Sequence, residues 1–308
     1  MSHIDWIVAR LKMDKEALEK YQKAGRICAE VRHELEGMLK PGAKLLAIAE
    51  EIEKKIHAKG GKPAFPVNIS VNEVVAHYTP SFNDERTIAP KDLVKIDIGV
   101  HVDGYIGDMA FTYCSEPNAL VKCSEQCVQA AIDIIKPGVT VSDISKAIEA
   151  CYKEQGLGII VNLTGHTLER FVFHGSPSIP NVSNNSGHKF KDGDVIALEP
   201  FVTETSGFVK DSGIVEIYRY MRDRPVRLPE ARSILALARD DYHELPFAKR
   251  WILKAHSPIK VSLALRQLEE SGAIETYPVL REIEGKRVAQ TEHTIIVKDE
   301  PIVTTRLA

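Results

Sequence analysis

Four acidic residues interrupt segments that are otherwise apolar and typical of buried strands. Asp97 ends LVKID, Asp108 lies in the next extended segment, Glu199 ends DVIALE, and Glu292 lies within VAQTEHTIIV. Buried carboxylates that lie close together repel one another, and their burial is costly unless a cation lies between them. Each acid taken alone is better explained as a surface or edge-strand residue. The four together predict a metal site.

One histidine completes this candidate set. His166 follows the apolar run GIIVN, and alone it would be read as a structural residue. Four carboxylates and one imidazole suit Mn, Fe, Co or Zn rather than a metal that prefers thiolates. Four negative charges would neutralise two divalent ions, which can share a hydroxide and polarise a carbonyl. The set therefore predicts hydrolysis of an acyl bond without a serine or cysteine nucleophile.

The spacing of the first two acids predicts that they share one face of a β-hairpin. Asp103-Gly104 is a strong signal for a two-residue turn. With that turn Gly99 faces Asp108, and Asp97 lies diagonally across on the same face. With a three-residue turn the pairing would change, and the spacing would no longer predict that Asp97 and Asp108 share one face.

An internal repeat predicts how the remaining acids reach the same place. Residues 40–60 and 136–156 are identical at seven of 21 positions, beginning with KPG in both. The match continues in order, with HYTPS answered by HGSPS and DLVKID by DVIALE. KPG alone is a common helix stop, but three matches in one order favour a true repeat. Two similar α+β halves about a pseudo-two-fold axis would bring Asp97 and Glu199 together.

The repeat also pairs His77 with His174, each followed by a Pro-Ser sequence. Neutral imidazoles that flank the metals could hydrogen-bond a scissile amide or a tetrahedral oxyanion. The alternative is two loop histidines in structural turns.

The spacing of apolar residues predicts the helices and strands that carry these candidate residues. It predicts helices over 14–39, 43–58 and 119–135, and strands over 93–98 and 106–113. The sequence divides into a catalytic domain, residues 1–217 and 283–308, and a helical, winged-helix-like insertion over 218–282. That insertion holds 12 Lys and Arg against 9 Asp and Glu, too small an excess to predict nucleic-acid binding. A solvated structural insertion is the favoured interpretation.

Composition excludes several classes of protein. The 308 residues are 44% hydrophobic and 27% charged with a net charge of −3, typical of a soluble globular protein. There is no signal-peptide pattern and no apolar run long enough to cross a membrane. The five cysteines form no CxxC pair and are expected to be reduced thiols in a cytoplasmic protein.

The segments that carry these residues resemble the type 2 methionine aminopeptidase family of archaea and the eukaryotic cytosol. The motifs are AFPVNISVNEVVAHYTP (64–80), KIDIGVHVDGYIGDMAFT (95–112), LTGHTLERFVFHGSPSIPN (163–181), IALEPF (196–201) and QTEHTIIV (290–297). The resemblance runs from about residue 14 to the C-terminus, and no long charged N-terminal extension precedes it, which favours the archaeal form. It implies the pita-bread fold, two pseudo-symmetric α+β halves around a dinuclear metal centre.

The resemblance also implies a role for each candidate ligand. Asp97 and Asp108 bind metal, and Asp108 bridges the two ions. His166 and Glu199 complete the ligands of one ion, and Glu292 bridges as well. The implied cofactor is two divalent ions, Co, Mn, Fe or Zn.

Substrate contacts follow from the same resemblance. It implies that His77 and His174 contact the substrate amide and stabilise the tetrahedral intermediate. It suggests a methionine pocket formed by Phe65, Phe173, Ile217 and Tyr277, although some members carry histidine where this chain has Ile217. The segment 218–282 marks type 2 rather than type 1.

The implied activity is removal of the initiator methionine from nascent proteins with a small second residue, by a hydroxide that bridges the metals. The implied partners are nascent-chain N-termini at the ribosome, with no membrane or nucleic acid, and a monomer is expected. One alternative is a prolidase or aminopeptidase P, which would use the same ligands with another pocket. A second is a non-catalytic scaffold of the same fold that binds ribosomes or RNA, and a third is an independent nucleic-acid role for the insertion.

Overall fold

The computed structural model describes residues 13–253 and 257–307. The predicted domains also include residues 1–12, 254–256 and 308, which lie outside this range. The helices are α1 Lys15–His33, α2 Leu45–Ala58, α3 Ala119–Ile132, α4 Val141–Glu154, α5 Pro229–Leu237, α6 Lys249–Ile252 and α7 Pro258–Glu270, and a π-helical turn, Ala238–Tyr242, continues α5.

Sixteen short or medium strands form the sheets of the described chain. The strands are β1 Lys62–Pro63, β2 Asn68–Val71, β3 Val74–Ala76, β4 Val94–Val102, β5 Tyr105–Tyr113, β6 Gly158–Ile159, β7 Thr164–Glu169, β8 Val172–Pro180, β9 Val195–Leu198, β10 Phe201–Thr203, β11 Val209–Tyr220, β12 Phe247–Ala248, β13 Ile274–Glu282, β14 Val288–Gln290, β15 His293–Ile296 and β16 Ile302–Val303. One sheet joins β1, β2, β4 and β5, and another joins β7, β8, β9, β15 and β16. Strands β6, β10 and β14 form a third sheet, and β3, β11, β12 and β13 form a fourth.

The first helix is shorter than predicted. Asp14 caps it, since its side chain accepts a hydrogen bond from Ala17 N at 2.7 Å. The helix ends at His33 rather than at residue 39, because Gly37 disfavours helix and Met38 N bonds instead to Leu35 O at 2.8 Å. Leu35 is nevertheless buried, as the apolar spacing predicts, because the tighter turn keeps it on the core face.

The repeat predicted from the sequence is present in the backbone contacts of both halves. After each KPG, the glycine N–H bonds to a distant carbonyl: Gly42 to Ile88 O and Gly138 to Phe190 O, both at 2.8 Å. Helices α2 and α4 then start at equivalent residues, and each half has its own large apolar cluster. The predicted α+β architecture with two similar halves is therefore confirmed.

The segment 218–282 has a third apolar cluster, built mainly from α5, α7 and the facing ends of β11 and β13. Its end follows the predicted order of helix, glycine stop and strand, since α7 is followed by Gly272 at φ 69° and then β13. Strand β11 crosses the predicted bound at 218, and β13 pairs with β3 of the first half. The division into a catalytic domain and an insertion stays a prediction.

We expect Gly107→Ala to destabilise the fold, because α1 packs directly on β5 at this residue. A Cβ on Gly107 would lie 2.5 Å from Gly25 N and 2.7 Å from Ala24 C, which are backbone atoms that cannot rotate away. Such overpacking costs about 1–3 kcal/mol of unfolding free energy. Urea unfolding in the presence of a chelator measures the loss. The matched control is Gly187→Ala, whose Cβ would meet no described atom within 4 Å. Equal stability of the two variants would contradict the packing argument.

Candidate metal centre

Three of the predicted acids lie close together where the first half meets the C-terminal segment: Asp97 on β4, Asp108 on β5, and Glu292 between β14 and β15. The turn at Asp103-Gly104 has two residues, both with positive φ, so that Gly99 pairs with Asp108 and Asp97 with Ala110. This confirms the register predicted from the sequence. Ala110 also forms an antiparallel bridge with Glu292, whose N–H donates to Ala110 O at 2.8 Å. Asp97, Asp108 and Glu292 therefore meet at one point of the sheet surface.

The second half supplies the remaining two candidates at the same point. His166 lies on β7 opposite Ala197 of β9, and Glu199 follows β9 directly. Strand β15 pairs with β9 so that His293 faces Leu198, which brings Glu292 beside Glu199. The bridge between Ala110 and Glu292 thus joins the two halves at the acidic cluster.

The side chains converge closely. His166 Nε2 lies 3.7 Å from Asp108 Oδ2 and 3.7 Å from Glu199 Oε1. Ligand atoms of Asp108, His166 and Glu292 all lie within 4.8 Å of one another. On the other side of the ring, His166 Nδ1 lies 3.3 Å from Thr167 O. When Nδ1–H donates to that carbonyl, the lone pair of Nε2 faces the carboxylates, which is the orientation of a metal ligand.

Burial makes the ionised cluster unfavourable without a cation. It raises the pKa of Asp97 to about 7, and it raises the pKa values of Asp108, Glu199 and Glu292 well above their usual range. Repulsion among the carboxylates adds to the effect of burial on the last three. Asp108 and Glu292 are each 1% exposed, so water cannot offset this repulsion.

Two buried oxygens point to what would occupy the centre. Among the described residues, Asp108 Oδ1 and Glu292 Oε1 have no hydrogen-bond partner. Buried carboxylate oxygens are normally satisfied, and both residues belong to the group whose ligand atoms lie within 4.8 Å of one another and of the His166 imidazole. This set of oxygen and nitrogen donors fits divalent ions of the Mn, Fe, Co or Zn type.

Gln290 belongs to the centre, although the sequence analysis assigned it no role. Its side-chain Nε2 donates to Asp97 Oδ2 at 3.3 Å and to Glu199 Oε2 at 3.4 Å, and it lies 3.5 Å from Glu292 Oε2. The amide is therefore a neutral donor that holds three carboxylates in place. Its position two residues before Glu292 was the available signal, but an uncharged side chain gives no reason to expect a metal site.

A cavity of about 310 Å³ opens onto the cluster. Its lining contains all five candidate ligands, His77, His174 and three of the predicted pocket residues, Phe65, Phe173 and Tyr277. The fourth, Ile217, does not line the cavity. It is fully buried behind the wall, because its pairing with Tyr277 on β13 places it inside the apolar cluster that supports the aromatic rings.

The two predicted substrate histidines contact the same aromatic rings. Phe65 lies 5.9 Å from both His77 and His174, and Tyr277 lies 5.3 Å and 5.9 Å from them, between ring centroids. His174 also packs against His166 at 4.7 Å. Burial lowers the pKa of His77 to about 4, so this imidazole is neutral at pH 7. Neutral imidazoles beside the carboxylates can each offer one N–H donor to a ligand in the cavity.

Comparisons with known proteins agree with this architecture. The model of metallopeptidase family M24 matches residues 19–228. The chain is 46% identical to the methionine aminopeptidase of Thermococcus onnurineus over 281 residues, which cover 90% of this chain and 95% of that protein. It is also 46% identical to the methionine aminopeptidase of Pyrococcus abyssi over 292 residues, with 94% and 99% covered.

Solved structures share the fold. A thermophilic Arx1 superposes with a TM-score of 0.83 at 18% identity, covering 96% of this chain and 92% of that one. The methionine aminopeptidase of Thermotoga maritima gives a TM-score of 0.68 at 23% identity, covering 96% and 98%. The predicted pita-bread fold is confirmed by these similarities. Within the described residues, no helix is both long and apolar enough to span a membrane.

We expect Glu292→Gln to stabilise the metal-free protein and to weaken its response to metal. Removing one of four repelling carboxylates should raise the unfolding free energy by about 1 kcal/mol in chelator at pH 7.5. Wild-type protein should gain about 2–3 kcal/mol when Mn²⁺ exceeds its Kd a hundredfold, and the variant should gain less. Denaturant unfolding with and without Mn²⁺ measures both effects. Exposed Glu154→Gln is the control, and the same metal response in both variants would argue against a metal centre.

Proposed function

Because the chain belongs to metallopeptidase family M24, we propose that it removes the initiator methionine from nascent proteins whose second residue is small. The protein is a metallo-exopeptidase acting on N-terminal methionine, the activity named for relatives that are 46% identical along at least 90% of its length. One observation carries the specific proposal: four carboxylates and an imidazole converge beside an aromatic wall in one cavity.

Members of a metallopeptidase family use divalent metal, and we propose two ions in this chain. Asp97, Asp108, His166, Glu199 and Glu292 would hold them. The unpartnered buried oxygens of Asp108 and Glu292 support the assignment of these two residues as ligands. When bound, the ions supply a water nucleophile that is activated at neutral pH and they polarise the scissile carbonyl.

His77 and His174 are the proposed catalytic residues for the substrate amide. Each lines the cavity that also contains the five candidate ligands. The low pKa of His77 keeps its ring neutral, so it can donate a hydrogen bond to an oxygen that becomes negative in the transition state. Such a donor contributes most in a site of low polarity, and the rings of buried Phe65 and half-buried Tyr277 lie beside His77.

Phe65, Phe173 and Tyr277 form the proposed pocket for the methionine side chain. Their rings pack on one another, with centroids 5.0 Å apart for Phe65 and Phe173 and 5.4 Å apart for Phe65 and Tyr277. A thioether contacts such rings favourably, and its flexible chain fits an irregular apolar space. Ile217 would act indirectly, by fixing Tyr277 from behind.

The proposed setting is the cytoplasm, where the enzyme would act as a monomer on nascent-chain N-termini at the ribosome. All five cysteines lie in the described residues and are free thiols, which is usual in a reducing compartment. The net charge of −3 gives no general attraction for nucleic acid.

Metal-dependent release of methionine tests the activity. We expect chelator-stripped protein to regain turnover of Met-Ala-Ser with at least one of Mn, Fe, Co and Zn. Met-Leu-Ser, with a large second residue, and Leu-Ala-Ser, with another first residue, should be poor substrates. Product release is followed by chromatography. Cleavage of Ala-Pro-Ala instead would assign a prolidase-type specificity, and no turnover by folded protein with any metal would favour a binding scaffold.

Replacing either histidine should lower kcat without removing the metal. We expect His77→Ala and His174→Ala to lose about 10²–10³-fold in kcat, since each removes a donor that acts mainly in the transition state. Steady-state kinetics on Met-Ala-Ser give kcat, and metal content by elemental analysis is the control. Normal kcat in both variants would refute these roles, and loss of metal would make them ligands.

A further inference from the structure

The backbone at His77 is held in a conformation that is uncommon for residues other than glycine. Its φ is +61°, in the left-handed region, which histidine enters more often than most residues but still at a cost in strain. Such a conformation persists only when the surrounding structure fixes it. The ring of His77 packs against Phe65 and Tyr277, and the contacts of the next residues, 78–80, hold the backbone from which this ring projects.

Thr79 lies at the centre of these contacts and is 1% exposed. Its hydroxyl donates to Val67 O at 2.8 Å and accepts a short hydrogen bond from Arg250 Nη1. Arg250 Nη1 also donates to Pro80 O at 3.2 Å. One guanidinium group thus binds two consecutive residues that follow His77. The Thr79 hydroxyl in turn donates to Val67 O, just before β2, and so connects the guanidinium with that segment.

Arg250 belongs to α6 in the segment 218–282, and its charge is buried at 5% exposure. Its Nη2 donates to Glu53 Oε1 of α2, and the neighbouring Trp251 Nε1 donates to Glu53 Oε2 at 3.0 Å. Burial lowers the pKa of Arg250, and the Glu53 carboxylate opposes this change. The Arg250 guanidinium is therefore held by a carboxylate through Nη2, and its Nη1 donates to Thr79 and Pro80, whereas its buried Nε has no hydrogen-bond partner among the described residues.

From this chain of contacts we propose that Arg250 and Thr79 are positioning residues for His77. The proposal rests on the catalytic role proposed for His77 above. Neither residue lines the cavity, so neither touches substrate or metal. Their effect is on the angle at which the His77 ring meets the scissile amide, and a displacement near 1 Å at such a group costs about 10²-fold in rate. The segment 218–282, which already supplies Tyr277 to the cavity wall, would thereby also help to position His77 through Arg250.

The sharpest variant is Thr79→Val, which keeps the shape of the side chain and removes the hydroxyl. We expect kcat on Met-Ala-Ser to fall about tenfold with KM changed less than about twofold, because transition-state contact is lost rather than binding. Thr79→Ser restores the hydroxyl and should restore kcat. Glu53→Gln, on a different helix, should lower kcat in the same direction because it loosens the Arg250 guanidinium.

A double-mutant cycle separates positioning from general stability. In the His77→Ala background, Thr79→Val should cause no further loss of kcat, since the ring that it positions is absent. An equal loss of kcat in both backgrounds would overturn the proposal, as would normal kcat in folded Thr79→Val. If Thr79→Val does not fold, the cycle is repeated with Glu53→Gln. An equal loss of kcat in the wild-type and His77→Ala backgrounds, or a normal kcat in folded Glu53→Gln, would then overturn the proposal.

A measurement that does not depend on catalytic activity tests the positioning separately from the proposed function. In protein labelled with ¹⁵N-histidine, Thr79→Val should shift the His77 ring resonances and Thr79→Ser should leave them in place. If the wild-type protein released no methionine with any metal, the proposed function would be wrong. The His77 resonances would still show whether Thr79 fixes the position of the ring. Unchanged His77 resonances in folded Thr79→Val would overturn the positioning proposal even in an active enzyme.

Discussion

The repulsion among four buried carboxylates is the interaction on which the rest of this structure depends. Asp108 and Glu292 are almost fully buried and lie beside Asp97 and Glu199, an arrangement that an apolar protein interior does not tolerate alone. The fold meets this cost with donors: the Gln290 amide faces three of the carboxylates, and the His166 ring faces two. The remaining unsatisfied oxygens define where divalent cations would bind.

The internal repeat explains how so costly a cluster is assembled. Each half has its own apolar core and its own helix after a KPG turn, so the halves are stable supports for the strand ends between them. The bridge between Ala110 and Glu292 then joins the sheets at the acids themselves. The acidic cluster thus lies between two halves that each have an apolar core, which is how side chains far apart in sequence are brought together.

The segment 218–282 contacts the first half and contributes to the lining of the cavity. Strand β13 pairs with β3 of the first half and carries Tyr277 into the cavity wall. Through Arg250, the same segment binds the residues that follow His77. The weak basic excess of the segment is thus a poor guide to what it does, because its informative charge is the buried one.

The candidate ligands, the hairpin and the repeat could all be predicted from the amino-acid sequence. Acids in apolar strands stand out one residue at a time, and strand alternation with a two-residue turn fixes the pairing of Gly99 with Asp108. These signals are local or periodic, so they can be read along the chain. Gln290, the covered position of Ile217 and the contact of Arg250 with Thr79 could not be read in this way. These features depend on side-chain contacts between segments up to 193 residues apart in the sequence. The chemistry of a glutamine or an arginine does not specify its partner, so such contacts become visible only when the folded chain brings the segments together.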